Sequence, residues 1–123
     1  KIINTSNAPK AIGAYSQGII YKDFIFTSGQ IPIDKNNNKI ISNDFRAQVY
    51  QTLSNLKDLV ESQGSSINKI LKLTVYLIDI SKFEILNEVF QDFFGNNFPA
   101  RSVIQVVKLP KNSQVEIEAI CIK

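Results

Sequence analysis

The chain has 123 residues, 44% of them apolar, and a formal net charge of +3. This length and composition fit one domain spanning residues 1–123 with a real core, and they exclude wholesale disorder. The absence of histidine and the single cysteine, Cys121, exclude a zinc cluster, a histidine triad, a histidine-dependent nuclease and an intrachain disulfide.

No basic segment followed by a long apolar run stands at the N-terminus, and nowhere do 18 apolar residues occur together. Neither a signal peptide nor a membrane span is supported, and the sparse cysteine points to a reducing, cytoplasmic setting. The lysines are scattered through turns and strand ends, as at Lys35, Lys39, Lys69, Lys72, Lys108 and Lys111. Without a basic run or a nucleic-acid module, nucleic acid is not the expected partner.

Ile19–Tyr21 and Phe24–Thr27 are short apolar stretches parted by Lys22-Asp23, which predicts a hairpin. Ser28-Gly29 interrupts the second stretch, and a glycine there permits either an unusual backbone angle or the close approach of another group. Residues 34–39 are polar enough to form a loop and turn. A helix is expected from Asn43 or Asp44, because Phe45, Val49, Leu53, Leu56 and Val60 recur at steps of three or four until Gly64. Glu61 in its last turn opposes the helix dipole.

Residues 70–80 alternate, with Leu71, Leu73, Val75 and Leu77 on one side and Lys72, Thr74 and Tyr76 on the other, as in a half-buried strand. Ser81-Lys82-Phe83-Glu84 has the form of a capping box opening a second helix. That helix carries Phe83, Leu86, Phe90, Phe93 and Phe94 on its apolar side, and Gly95 closes it. Two further strands are predicted over Ser102–Val107 and Gln114–Ile122.

Two amphipathic helices need a common apolar surface, and one sheet face supplies it in a two-layer α/β sandwich. The other face would carry Thr74, Tyr76, Ile104, Val106, Ile120 and Ile122. A surface that apolar marks an interface.

Acid–base chemistry must then come from carboxylates, lysine, tyrosine or water. Arg101 follows Phe98-Pro99-Ala100 at the start of a strand, where its planar fork has a fixed position from which to bind a carboxylate. Taken alone, the spacing favours a structural ion pair at a strand end. Glu116 and Glu118 share one strand face with Ile120 and Ile122; burial there would raise a carboxyl pKa toward neutrality, whereas an exposed acidic pair is the plainer alternative. Asn87 lies on an otherwise apolar helix side, as a satisfied core amide, an interface device or a ligand contact. Tyr15, in Gly13-Ala14-Tyr15-Ser16-Gln17, fits a turn or the edge of a binding site.

Several segments carry a family resemblance. Ala8-Pro9 with Ile12-Gly13-Ala14-Tyr15-Ser16-Gln17-Gly18, then Thr27-Ser28-Gly29-Gln30-Ile31-Pro32, resemble the N-terminal motifs of the RidA, or YjgF-like, reactive-intermediate deaminases. Gln51, Thr52, Asn55 and Leu56 match its first helix more loosely. Phe98-Pro99-Ala100-Arg101-Ser102, Leu109-Pro110-Lys111 and Val115-Glu116-Ile117-Glu118-Ala119-Ile120 resemble its C-terminal signature.

The resemblance implies a chorismate-mutase-like fold, a mixed sheet with two helices on one face. It further implies a homotrimer around a central barrel, with sites in clefts between subunits. The implied reaction is hydrolysis of 2-imino or enamine acids to 2-oxo acids and ammonia, without metal or cofactor. By position, Arg101 corresponds to the carboxylate-binding arginine and Glu116 to the acid–base glutamate; Tyr15, Ser28, Gly29, Asn87 and the backbone at Val103 would line or shape the cleft. Two departures stand out. Val103 replaces a common cysteine, and Ala14 replaces a common proline and leaves the Tyr15 segment less restricted. RNA binding or cleavage, and a non-catalytic small-molecule or chaperone-like role, are the rival functions.

Overall fold

A computed structural model describes residues 1–123. Its framework is a six-stranded sheet formed by β1 (Ile2–Ile3), β2 (Gly18–Tyr21), β3 (Phe24–Thr27), β4 (Ile70–Leu77), β5 (Ala100–Gln105) and β6 (Val115–Ile122), in the order β1-β2-β3-β6-β4-β5. Helices α1 (Phe45–Glu61) and α2 (Phe83–Phe94) supply the second layer. Only β4 and β5 run parallel, and α2 is the crossover that a parallel pair requires.

Strict alternation along β6 sets the sandwich. Val115, Ile117, Ala119 and Cys121 are buried, while Glu116, Glu118, Ile120 and Ile122 face the other way. The buried set joins Ile25, Leu73, Val75 and Leu77 of the sheet, Val49, Leu53, Leu56 and Leu59 of α1, and Leu86, Val89 and Phe90 of α2 in one core. Each large side chain sealed there contributes about 1.5–3 kcal/mol relative to exposure.

The hairpin and the 34–39 turn form as the sequence predicts, and Lys22 takes a positive φ of 54° in the two-residue connection. Of the two candidate caps, Asp44 caps α1: its Oδ2 accepts from the Ala47 amide at 2.9 Å. At the other end Lys57 pairs with Glu61 at 3.0 Å, which partly offsets the unfavourable dipole position of Glu61. Gly64 and Gly95 both take positive φ, at 83° and 66°, beyond the two helices.

Three expectations are corrected. Leu71 is exposed, because a register irregularity between Ile70 and Lys72 breaks the alternation at the head of β4. Ser81 does not cap α2; it donates through both its amide and its hydroxyl to Asp79 Oδ1 (3.0 and 2.6 Å), opening a 3-10 turn at Ile80–Lys82 instead. The fifth strand begins at Ala100 and ends at Gln105, which leaves Val107 fully exposed. Beyond these, the pairing of Ile2–Ile3 with β2 had no sequence signal, because a two-residue strand is too short to show a period.

The outer sheet face is as apolar as the pattern implies. Ile19, Phe24, Phe26 and Ile104 are each more than 40% exposed there. Along the junction of β3 and β6, pairing steps from Phe26↔Ile120 to Gln30↔Ile117, so three residues on one side span two on the other. This is a β-bulge at Thr27–Gly29, a device that re-aims side chains. Thr27 repairs the gap: its Oγ1 accepts from the Ala119 amide at 2.9 Å.

Replacing Asp44 by alanine removes the α1 cap, and urea denaturation is expected to read a loss of about 1 kcal/mol.

Candidate active site in two halves

Glu116 stands on the outer face of β6, directly opposite Tyr76 of β4. The bulge brings Gly29 against it. A Cβ added at Gly29 would lie 2.8 Å from the Glu116 carboxyl carbon, so the glycine serves close approach rather than an unusual φ. Burial raises the Glu116 pKa above the ordinary carboxylate value, and the negative charge of Glu118 raises it further. The carboxyl opens into a cavity of about 390 Å³ whose walls include Pro9, Ile12, Tyr15, Ser28 and Gly29.

The wall opposite the sheet comes from an irregular N-terminal segment, held by polar groups rather than by a core. Ser28 binds it twice: its hydroxyl donates to the Ser16 carbonyl at 2.6 Å and its amide to the Gln17 carbonyl at 2.9 Å. Gln17 is buried and satisfies the loop backbone. Its Oε1 accepts from the Thr5 amide at 2.7 Å, and its Nε2 donates to the carbonyls of Thr5 (3.0 Å) and Pro9 (2.9 Å). Tyr15, half exposed, stands at the cavity edge.

Arg101 belongs to a second recess. On edge strand β5 it pairs with Leu73, which turns it toward the helix layer. There the guanidinium carbon lies 4.9 Å from the ring centre of Phe90 and 5.2 Å from that of Phe83, and Nη2 donates to Asn87 Oδ1 at 2.9 Å. No carboxylate of the chain forms a salt bridge with it, so the expected structural ion pair is not made. Burial lowers its pKa, yet a guanidinium stays charged at neutral pH. Asn87, Phe90, Gln91, Phe98, Pro99 and Arg101 line a cleft of about 350 Å³. Asn87 thus accepts from Arg101 at the rim of this cleft, a partner that the sequence pattern does not name.

Within one chain the two groups do not meet. Arg101 is on the helix side of the sheet and Glu116 on the other, and the two recesses share no lining residue. Val103 lines neither; its side chain packs on the core beside its pairing partner Val75. The organising role of Gln17 escaped the sequence reading, because a glutamine in a polar loop carries no periodic signal. The bulge is equally silent, apart from the glycine it requires.

A family model described as Endoribonuclease L-PSP matches residues 5–123. A RutC family protein of Pyrococcus horikoshii is 46% identical over 123 residues, covering 100% of this chain and 98% of the relative. The 2-iminobutanoate/2-iminopropanoate deaminase of Salmonella typhimurium is 41% identical over 126 residues, covering 100% and 98%. A crystal structure of Escherichia coli TdcF with bound serine matches with a TM-score of 0.94 at 41% identity, covering 100% of this chain and 98% of that one. The two-helix, mixed-sheet fold is the same.

Because its folded-state pKa is raised, Glu116 favours the native state when protonated, and that contribution is lost as pH rises through the folded value. Replacing Glu116 by glutamine is therefore expected to raise the melting temperature near pH 7.5 and to leave it nearly unchanged near pH 4, as read by calorimetry. Equal effects at both pH values would contradict this.

Proposed function

This chain belongs to the RidA family, and on that footing we propose that it hydrolyses 2-imino and enamine acids to 2-oxo acids and ammonia, at sites completed between copies of itself. The observation that carries the reading is an arginine without an ionic partner, stacked on two phenyl rings and fixed by Asn87 at an open cleft. Such a fork takes a carboxylate through two parallel hydrogen bonds. The relatives at 38–41% identity whose names specify imine deaminase activity support the same substrate class.

In this mechanism Arg101 holds the substrate carboxylate and so places the imine carbon. Glu116, with its raised pKa, holds a water whose oxygen adds to that carbon while a proton passes to the nitrogen. A second proton then passes from the new hydroxyl, by way of the Glu116 carboxyl, to the nitrogen; the carbon–nitrogen bond breaks as the carbonyl forms, and a 2-oxo acid and ammonia remain. Orientation of the two reactants accounts for several kcal/mol, roughly, of the barrier reduction. An imine already reacts with water, so the site has modest work to do.

Two features support a shared site in a homotrimer built around a central barrel. The sheet separates Arg101 from Glu116 within one chain, and the outer face exposes Ile19, Phe24, Phe26 and Ile104. Packing those faces together would cover them and bring one copy's Arg101 recess to its neighbour's Glu116 cavity. The net charge of +3 and the family description favour one other reading, action on RNA. RNA binding that weakens steeply with salt would support it.

Freshly generated 2-iminobutyrate is expected to yield 2-oxobutyrate faster when the protein is added. Arg101→Lys keeps the charge but loses the fork, and a fall of about tenfold or more in kcat/KM is expected. An unchanged hydrolysis rate with the native chain overturns the deaminase reading.

A further inference from the structure

Beside Glu116 lies a polar pair that the hydrolysis as drawn does not use. Tyr76 and Glu118 share the outer face with Glu116, Tyr76 directly across from Glu116 and Glu118 two residues along β6. The Tyr76 hydroxyl donates to Glu118 Oε1 at 3.0 Å. All three side chains are partly buried on a face that also carries Thr74, Ile104, Ile120 and Ile122.

We propose that Tyr76 and Glu118 are a positioning pair for Glu116, the phenol pinning a negative charge one pleat away so that Glu116 is the carboxyl that holds and releases a proton. Residues two apart on one strand face stand about 7 Å apart, close enough for one charge to act on the other away from bulk water.

Other titratable groups facing this region do not substitute for Glu118. From β4 they are Tyr76 and, farther along, Lys72; from the N-terminal segment, Tyr15 and Lys10; from the 110–112 turn, Lys111. The Thr27–Gly29 bulge and the outer face of β5 bring none. Lys111 donates to the Asn38 carbonyl at 2.8 Å. After burial, Glu118 is the charge that acts on Glu116. Tyr76 itself is held protonated by burial and by its bond to Glu118, so it remains a donor.

The arrangement explains why two carboxyl groups so close together are not interchangeable. One is tied to a hydroxyl and serves as a fixed charge; the other lies against the Gly29 backbone, facing the cavity. Assigning Glu116 the proton transfer rests on the deaminase reading above, whereas the charge arrangement does not.

The test follows the carboxyl carbon of Glu116 by NMR in isotopically labelled protein without substrate, titrated in the native chain, Glu118→Gln, Tyr76→Phe and the double variant. Glutamine keeps an oxygen for Tyr76 and removes only the charge. Its Glu116 midpoint is expected to fall by about half a pH unit. Tyr76→Phe is expected to give a smaller fall in the same direction, and the double variant to match Glu118→Gln alone, since without the charge there is nothing to position. An unmoved midpoint in Glu118→Gln overturns the pair. A Tyr76→Phe effect that persists undiminished in the Glu118→Gln background overturns the role of Tyr76. The half-maximum of the activity–pH profile is expected to shift with the midpoint; a shifted midpoint with no hydrolysis in any variant leaves the pair standing and removes the deaminase reading.

Discussion

The two-residue period of β6 is the constraint on which the rest depends. One set of side chains, Val115, Ile117, Ala119 and Cys121, anchors the strand in the core, and the other set carries Glu116 and Glu118. A slip of one residue would drive both carboxyl groups into the helix layer and expel four apolar side chains. Core and site are therefore fixed by the same register, and the burial that stabilises the fold also aims the chemistry.

That register produces an opposition inside the chain. Glu116 is turned to the outer face and held partly out of water against Gly29, a placement that works against folding near neutral pH. Arg101 is turned to the opposite face because β5 pairs in parallel with β4 and sets it beside Leu73. Each half-site is well supported: one by the bulge, Ser28 and Gln17, the other by two phenyl rings and Asn87. Neither alone has both an arginine fork free of ion pairs and a tuned carboxyl. The apolar outer face and the separation of the two groups are two consequences of one architecture, and the proposed shared site would answer both.

Much of this was legible in the sequence where a local rule operates. Steps of three and four marked α1 and α2, alternation marked β6, and Gly95 marked a helix end. Local rules failed where a longer-range partner intervened. Leu71 looked inward by alternation until the irregularity beside Ile70 turned it out. The Ser81 box looked complete, but Asp79 bound that serine first. Phe83 was placed with the apolar side of α2, yet it is 39% exposed and serves as a shelf for Arg101. Arg101 and Glu116 were each identifiable by position, but which face each occupies depends on strand pairing, and no single-strand pattern records that.

The central claim is that a working site takes Arg101 from one copy and Glu116 from another. Co-assembly of equal amounts of the Arg101→Ala and Glu116→Gln chains, refolded together and assayed for imine hydrolysis, tests it most directly. Random assortment in a closed ring leaves about a quarter of the sites intact, so activity is expected to return from two inactive parents to about that fraction of native. A mixture as inactive as its parents, with mixed assemblies verified by mass, would contradict the account.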